Sequence, residues 1–246
     1  MTTDHAEPAD ASTDDHLLAP SVRAFPWLPA GLAAVATFLL EYLVVATIFV
    51  VGPSSVDRSA APIDSTAAVV IQYGHILFNA HHVPTVTRAT IKIGGSPFGN
   101  DLYFATGASV PPVVFFLVPV VALFAAGALF ETYRPGTPAE SVLEESALVG
   151  TGFTVGYLLC GVAGTFVLVQ QWALVAQEET VGTASQGPML SVTFVAFFLF
   201  PMVLVTLGAA AVAYRRSRTD DAIGPPEDGD PAGEPAAAVP ADDDQA

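Results

Sequence analysis

Residues 28–51 read LPAGLAAVATFLLEYLVVATIFVV, a run with no Asp, Lys, Arg or His and one glutamate, Glu41. About 20 apolar residues, at 1.5 Å rise each, cross the roughly 30 Å of bilayer hydrocarbon, so this run is long enough to span. It lacks the period-two alternation of a barrel strand, and a backbone in hydrocarbon must satisfy its own hydrogen bonds, which leaves a helix. Three further runs meet the same test, at residues 109–130, 147–170 and 189–214. The expected fold is therefore an all-α membrane protein with four transmembrane helices. Pro119 and Pro201 fall inside two of the runs and predict kinks, while Pro111 and Pro112 suit a helix start.

Composition agrees. Hydrophobic residues make up 52% of the chain and charged residues only 13%, with a mean hydropathy of +0.54; soluble domains carry about 25% charge. The formal charge of −16 comes from 24 acidic against 8 basic residues, and Lys92 is the one lysine. Such an excess repels itself at low ionic strength and is screened at molar salt, where the Debye length falls to about 3 Å. It predicts a protein adapted to near-saturating salt, with no nucleic-acid partner, because phosphate binding needs clustered Lys and Arg. Cys160 is the single cysteine and lies in an apolar run, which rules out an internal disulfide or a cysteine-rich zinc site.

Outside the membrane domain, 28–214, the ends divide into an acidic tail at 1–27 and a basic flank with an acidic tail at 215–246. Five acids precede Arg23 and nine follow Tyr214. The Pro, Ala, Gly, Asp and Glu composition of 224–246 predicts disorder. The apolar run after Arg23 exceeds a signal-peptide core and reads as a retained anchor. With both termini in the cytoplasm, that side holds Arg23, Arg134, Arg215, Arg216 and Arg218, and the outer side holds Arg58, Arg88 and Lys92. The balance favours this orientation in the cell membrane.

The outer loop, 52–107, is too long for an unstructured connection. Residues 66–78 are apolar but too short to span, which predicts an interfacial or re-entrant helix; a fifth span over 60–82 would have to carry Pro62, Asp64, Gln72 and His75 through hydrocarbon. Residues 85–93 are rich in β-branched side chains and end in Gly94-Gly95, a strand-and-turn signal.

Four patterns carry functional weight. Glu41 sits mid-span, where a charge costs about 2.5–3.5 kcal/mol on insertion scales, so it must face protein or water; Thr37, one turn earlier, is placed to share a hydrogen bond with it. Glu41 is thus a candidate proton or cation site, or a neutral acid that ties two helices together. If 72–82 is helical, Gln72, His75, Asn79 and His82 make one polar stripe. His75 and His82 are two turns apart, too far to ligate one ion, and His81 points elsewhere, so no metal site is expected. A re-entrant segment would also be placed to bring one of these histidines to Glu41 as an acid–imidazole relay. Finally, Gly152, Gly156, Cys160 and Gly164 recur every four residues, a small-residue packing face for another helix of this chain or of a second copy.

The stretch Tyr73 to Val83, with Phe78-Asn79-Ala80-His81 at its core, followed by a Gly-rich outer loop and a second helix, resembles an uncharacterised family of small haloarchaeal membrane proteins, some labelled transporters. The resemblance implies four helices and an outer loop and brings no catalytic residue or cofactor. No paired-histidine zinc helix, phosphate-cradling loop or Gly-x-Ser-x-Gly elbow occurs, so an enzyme is not expected. The leading expectation is a transporter-like protein with a proton- or cation-linked site at Glu41, in the lipid bilayer and assembled as a homo-oligomer. The rival is an accessory subunit that binds another membrane protein through the small-residue face and outer loop.

Overall fold

A computed structural model of the chain describes residues 19–51, 65–91, 100–101, 111–134 and 141–223. The expected disorder of both tails, the Gly94-Gly95 turn and residues 52–64, 92–99 and 102–107 of the outer loop lie outside the described residues. Four helices are long and apolar enough to cross a membrane: α2 (Trp27–Val51), α4 (Pro112–Tyr133), α5 (Val142–Val167) and α6 (Leu190–Ile223). Ahead of them α1 (Pro20–Ala24) is a single turn within the stretch assigned to the N-terminal tail, and α6 runs on past residue 214. Large apolar side chains such as Leu39, Leu43, Val121, Leu159 and Leu207 are exposed around the bundle, the surface that a hydrocarbon solvent selects.

Between α2 and α4 lies the short helix the sequence predicts, α3 (Thr66–Ala80). At 15 residues it reaches only about 22 Å, too short to span. Ser65 caps its start by accepting from the Ala68 amide, 3.2 Å. Its second half, Gly74 to Ala80, is buried throughout. Ile76, Leu77 and Ala80 pack with Val45 and Phe49 of α2 and Phe115 of α4. The chain then leaves through β1 (Thr85–Ile91), close to the strand read from the sequence.

The expectation of an all-α fold needs correcting. A four-stranded antiparallel sheet of order β2-β1-β4-β3 closes one end of the bundle, with β2 (Asn100–Asp101), β3 (Gln170–Ala176) and β4 (Glu179–Pro188). The third long helix accordingly ends at Val167, not 170, and begins at Val142, where Ser141 caps it and Glu144 and Glu145 complement the helix dipole. The β3–β4 hairpin escapes a sequence reading because its two-residue turn, Gln177-Glu178, has φ of 51° and 67° with neither Asn nor Gly present. On β4, Gly182, Ala184, Gln186 and Pro188 are buried and face the bundle.

The glycine stripe of α5 is used inside the chain. A methyl group at Gly156 would press on Gly31 and Ala34 of α2, one at Gly152 on Phe25 and Ala30, and one at Gly164 on Phe78 of α3, while Cys160 stays half-buried. The stripe therefore lets α2 and α3 approach the α5 backbone, and it is not an open seam for a second copy. Gly127 and Gly208 do the same between α4 and α6. Phe78, Val83, Leu123, Phe153, Tyr157, Phe197 and Val205 lie in the core these contacts enclose.

Candidate functional site

Glu41 is fully buried at mid-α2, and two residues from other elements meet it. The hydroxyl of Tyr157, on α5, is hydrogen-bonded to Glu41 Oε2. The same hydroxyl lies 2.7 Å from Nε2 of His81, which is itself 3.5 Å from Glu41 Oε2. His81 Nδ1 stands 2.8 Å from the Leu77 carbonyl, an acceptor only, so Nδ1 carries a hydrogen and, in the neutral ring, Nε2 is free to accept. All three side chains are sealed from solvent. Phe197 stacks on both His81 (4.6 Å between ring centroids) and Tyr157 (5.3 Å), so the polar chain runs through an aromatic box.

How the sequence delivers His81 to this place is a matter of helix ending. The Val83 amide bonds to the Phe78 carbonyl (2.9 Å) and the His82 amide to the Asn79 carbonyl (2.8 Å), the paired bonds of a Schellman turn. Val83, just past the turn, is fully buried in the same core cluster as Phe78, the hydrophobic contact that goes with this motif. The turn requires a left-handed residue at position 82, usually glycine, and here it is His82 with φ 60°. His82 is thereby rotated off the polar stripe and stacks on Phe116, 4.7 Å and 14° between ring planes. The predicted stripe reduces to Gln72, His75 and Asn79, all buried. His75 Nε2 donates to the Leu168 carbonyl at 2.7 Å. Burial pushes the His75 imidazole below its usual range, the Leu168 bond opposing it. Burial likewise takes His81 down to about 4, against the bond to Leu77.

Thr37 does not share a hydrogen bond with Glu41: its hydroxyl donates to the Ala33 carbonyl of its own helix at 2.8 Å. The second carboxyl oxygen of Glu41, Oε1, has no hydrogen-bond partner among the described residues.

A second buried carboxylate, Glu131 at the end of α4, stands at the opposite end from the sheet. Its Oε2 accepts from Arg134 Nε at 2.7 Å and its Oε1 from Arg216 Nη1 at 3.3 Å, while Arg134 Nη2 also reaches Glu145 Oε1 at 2.5 Å. The sequence reading weighed Arg134 and Arg216 only as signals of orientation. Among the described residues no group of three or more His, Cys, Asp or Glu is placed to hold a metal ion.

The profile of a family of unknown function, DUF7978, matches residues 22–216, and the chain belongs to that family. No curated protein matches the chain. No solved structure matches it either.

Proposed function

We propose, for this member of a family without an assigned activity, a non-enzymatic multi-pass membrane protein of transporter type that holds and passes a proton through Glu41, Tyr157 and His81. The observation that carries the reading is that one hydroxyl, Tyr157 Oη, touches both an acid and an imidazole in a solvent-sealed site. Two hydrogen arrangements satisfy this geometry. In one, Glu41 donates to Tyr157, Tyr157 to His81 Nε2, and His81 Nδ1 to Leu77. In the other, Tyr157 donates to ionised Glu41 and doubly protonated His81 donates to Tyr157. Moving one proton along each of two hydrogen bonds interconverts them, and both are net neutral, so a proton crosses the site with no isolated charge left in hydrocarbon.

The cytoplasmic placement of both termini belongs to the same proposal. Arg134, Arg215, Arg216 and Arg218 gather at the end away from the sheet, which supports it. The acid excess suits a cell interior at molar salt. Cleavage of a C-terminal tag by protease added to intact cells would reverse the orientation.

The activity is tested in vesicles reconstituted at high salt with an internal pH dye and a potassium diffusion potential. Proton entry should be faster with the native protein than with Glu41→Gln or Tyr157→Phe. Equal rates in all three would remove the cluster from any proton path.

One observation favours the accessory-subunit reading. An apolar cleft of about 680 Å³ runs between α2 and α4, walled by small residues such as Ala33, Ala36, Ala122 and Ala126, and it is wide enough to seat a ridge of a foreign helix. Stoichiometric co-purification of another membrane protein, lost on Ala122→Trp, would support it.

A further inference from the structure

The helix α3 packs against β1 and β4, and the inward face of those strands carries Thr85, Thr87 and Gln186, with Thr87 directly opposite Gln186 in the ladder. Five buried polar atoms there have no partner among the described residues: Gln72 Nε2, Thr85 Oγ1, Thr87 Oγ1, and both Nε2 and Oε1 of Gln186. Gln186 is 1% exposed and Thr85 0%. A buried amide without a partner costs about 1–3 kcal/mol, and natural proteins rarely leave several together unless water supplies the bonds. The atoms include donors and acceptors alike, which is what a hydrogen-bonded file of water requires and what a bare cation or anion does not. Gln186 also borders a cleft of about 320 Å³ at the sheet end, whose strand residues Val86, Arg88, Ser185 and Gly187 belong to the opposite face of the sheet.

We infer that the seam between α3 and the sheet is a water-binding chamber, entered past Gln186, that connects the sheet-end surface to His81. This rests on the proton-handling reading of the Glu41 cluster and gives that cluster its port. Thr85 lies four residues beyond His81, with the Schellman turn between them, so the inward row Gln186, Thr87, Thr85 leads from the cleft toward the buried imidazole. The opposite direction carries no comparable row of unpartnered polar atoms among the described residues. Beyond Glu41, the core toward the Arg134 end is Ala34, Phe153, Phe130 and Phe25, capped by Glu131 and Arg134 in mutual ion pairing.

Two measurements on the full-length protein in proteoliposomes test this. The first is hydroxyl-radical footprinting read by mass spectrometry, which needs no flux. His75, although 3% exposed, should be oxidised within threefold of the rate of surface His82, Phe153 should stay unmodified, and Gln186→Leu should protect His75. Protection of His75 in the native protein equal to that of Phe153 overturns the chamber. The second is the proton-entry assay with Thr87→Val, nearly isosteric and chosen in case Gln186→Leu fails to fold. Flux should fall about tenfold, the equivalent of one lost hydrogen bond in the path. Unchanged flux in Thr87→Val, while Glu41→Gln abolishes it, overturns the route and leaves the cluster's role standing. Oxidised His75 with flux indifferent to Glu41 upholds the chamber and removes the proton-handling reading.

Discussion

Glu41 and Glu131 are both buried to 0% exposure, one at the centre of the bundle and one at its end, and their surroundings differ in kind. Glu131 has a fixed cation on each oxygen, Arg134 on one and Arg216 on the other. Among the described residues Glu41 has no permanently charged cation beside it: Oε2 meets a phenol and an imidazole, and Oε1 has no partner. An arginine neutralises a carboxylate and holds it, since its own proton is never released at physiological pH. A phenol and an imidazole can each give and take a proton, so they compensate the acid while leaving its protonation free to change. The first environment anchors helices; the second suits the exchange proposed above.

The sharpest way to break this contrast is Arg134→Met. It strips the cation from Glu131 Oε2 and from Glu145 while Glu131 stays buried, and should destabilise the protein by about 3–5 kcal/mol in thermal denaturation in detergent. Proton entry per folded molecule should not change. A loss under about 1 kcal/mol would mean that Arg216, 45% exposed, compensates alone.

Next in size is the pH response of the central region. His75 and His81 are held below the usual imidazole range, His81 from 6.5 to about 4, so the unfolded chain binds more protons than the native one between those values. Stability is therefore complete above about pH 6.5 and falls as pH drops toward 4, by on the order of 3 kcal/mol for His81. His81→Gln should flatten the lower part of the Tm-against-pH curve, and an unchanged slope would show that His81 is not buried neutral.

A smaller effect separates bonding from exchange within the cluster. Tyr157→Phe leaves both Glu41 Oε2 and His81 Nε2 short of a partner and should cost about 1–3 kcal/mol, whereas Glu41→Gln keeps a side chain that can accept from Tyr157 and should cost under about 1 kcal/mol. Both should stop proton entry. The smallest change is a gain at the sheet: Gln177→Asn with Glu178→Gly relieves two left-handed residues and should raise stability by about 0.4–1 kcal/mol without touching flux.

What the sequence yields and what it withholds follow from range. The four long runs and the too-short helix 66–78 are legible because hydrophobic length alone decides them, and Glu41 stands out because an acid in such a run is costly. Tyr157 is not legible: one tyrosine on a glycine-rich helix carries no local sign that another helix brings an acid to it. His81 is set aside by helical periodicity because it falls off the Gln72–His75–Asn79 face; its delivery depends on the turn at His82, whose residue is not the glycine that announces such turns. The β3–β4 hairpin is hidden for the same reason at Gln177-Glu178, and without that hairpin Gln186 has no inward face to be found on.

The sheet ties together parts of the chain that lie far apart in sequence. β1 continues directly from the α3 turn, β3 from the end of α5 and β4 into the start of α6, and the Met189 amide bonds back to the Pro84 carbonyl at 3.0 Å. Seven register pairs lock β1 to β4. His81 is thereby tied through the turn and β1 to the sheet, and on the proton-handling proposal the sheet is an external handle on that site. A nanobody that grips the β3 edge would act on the imidazole from outside the membrane as a brake.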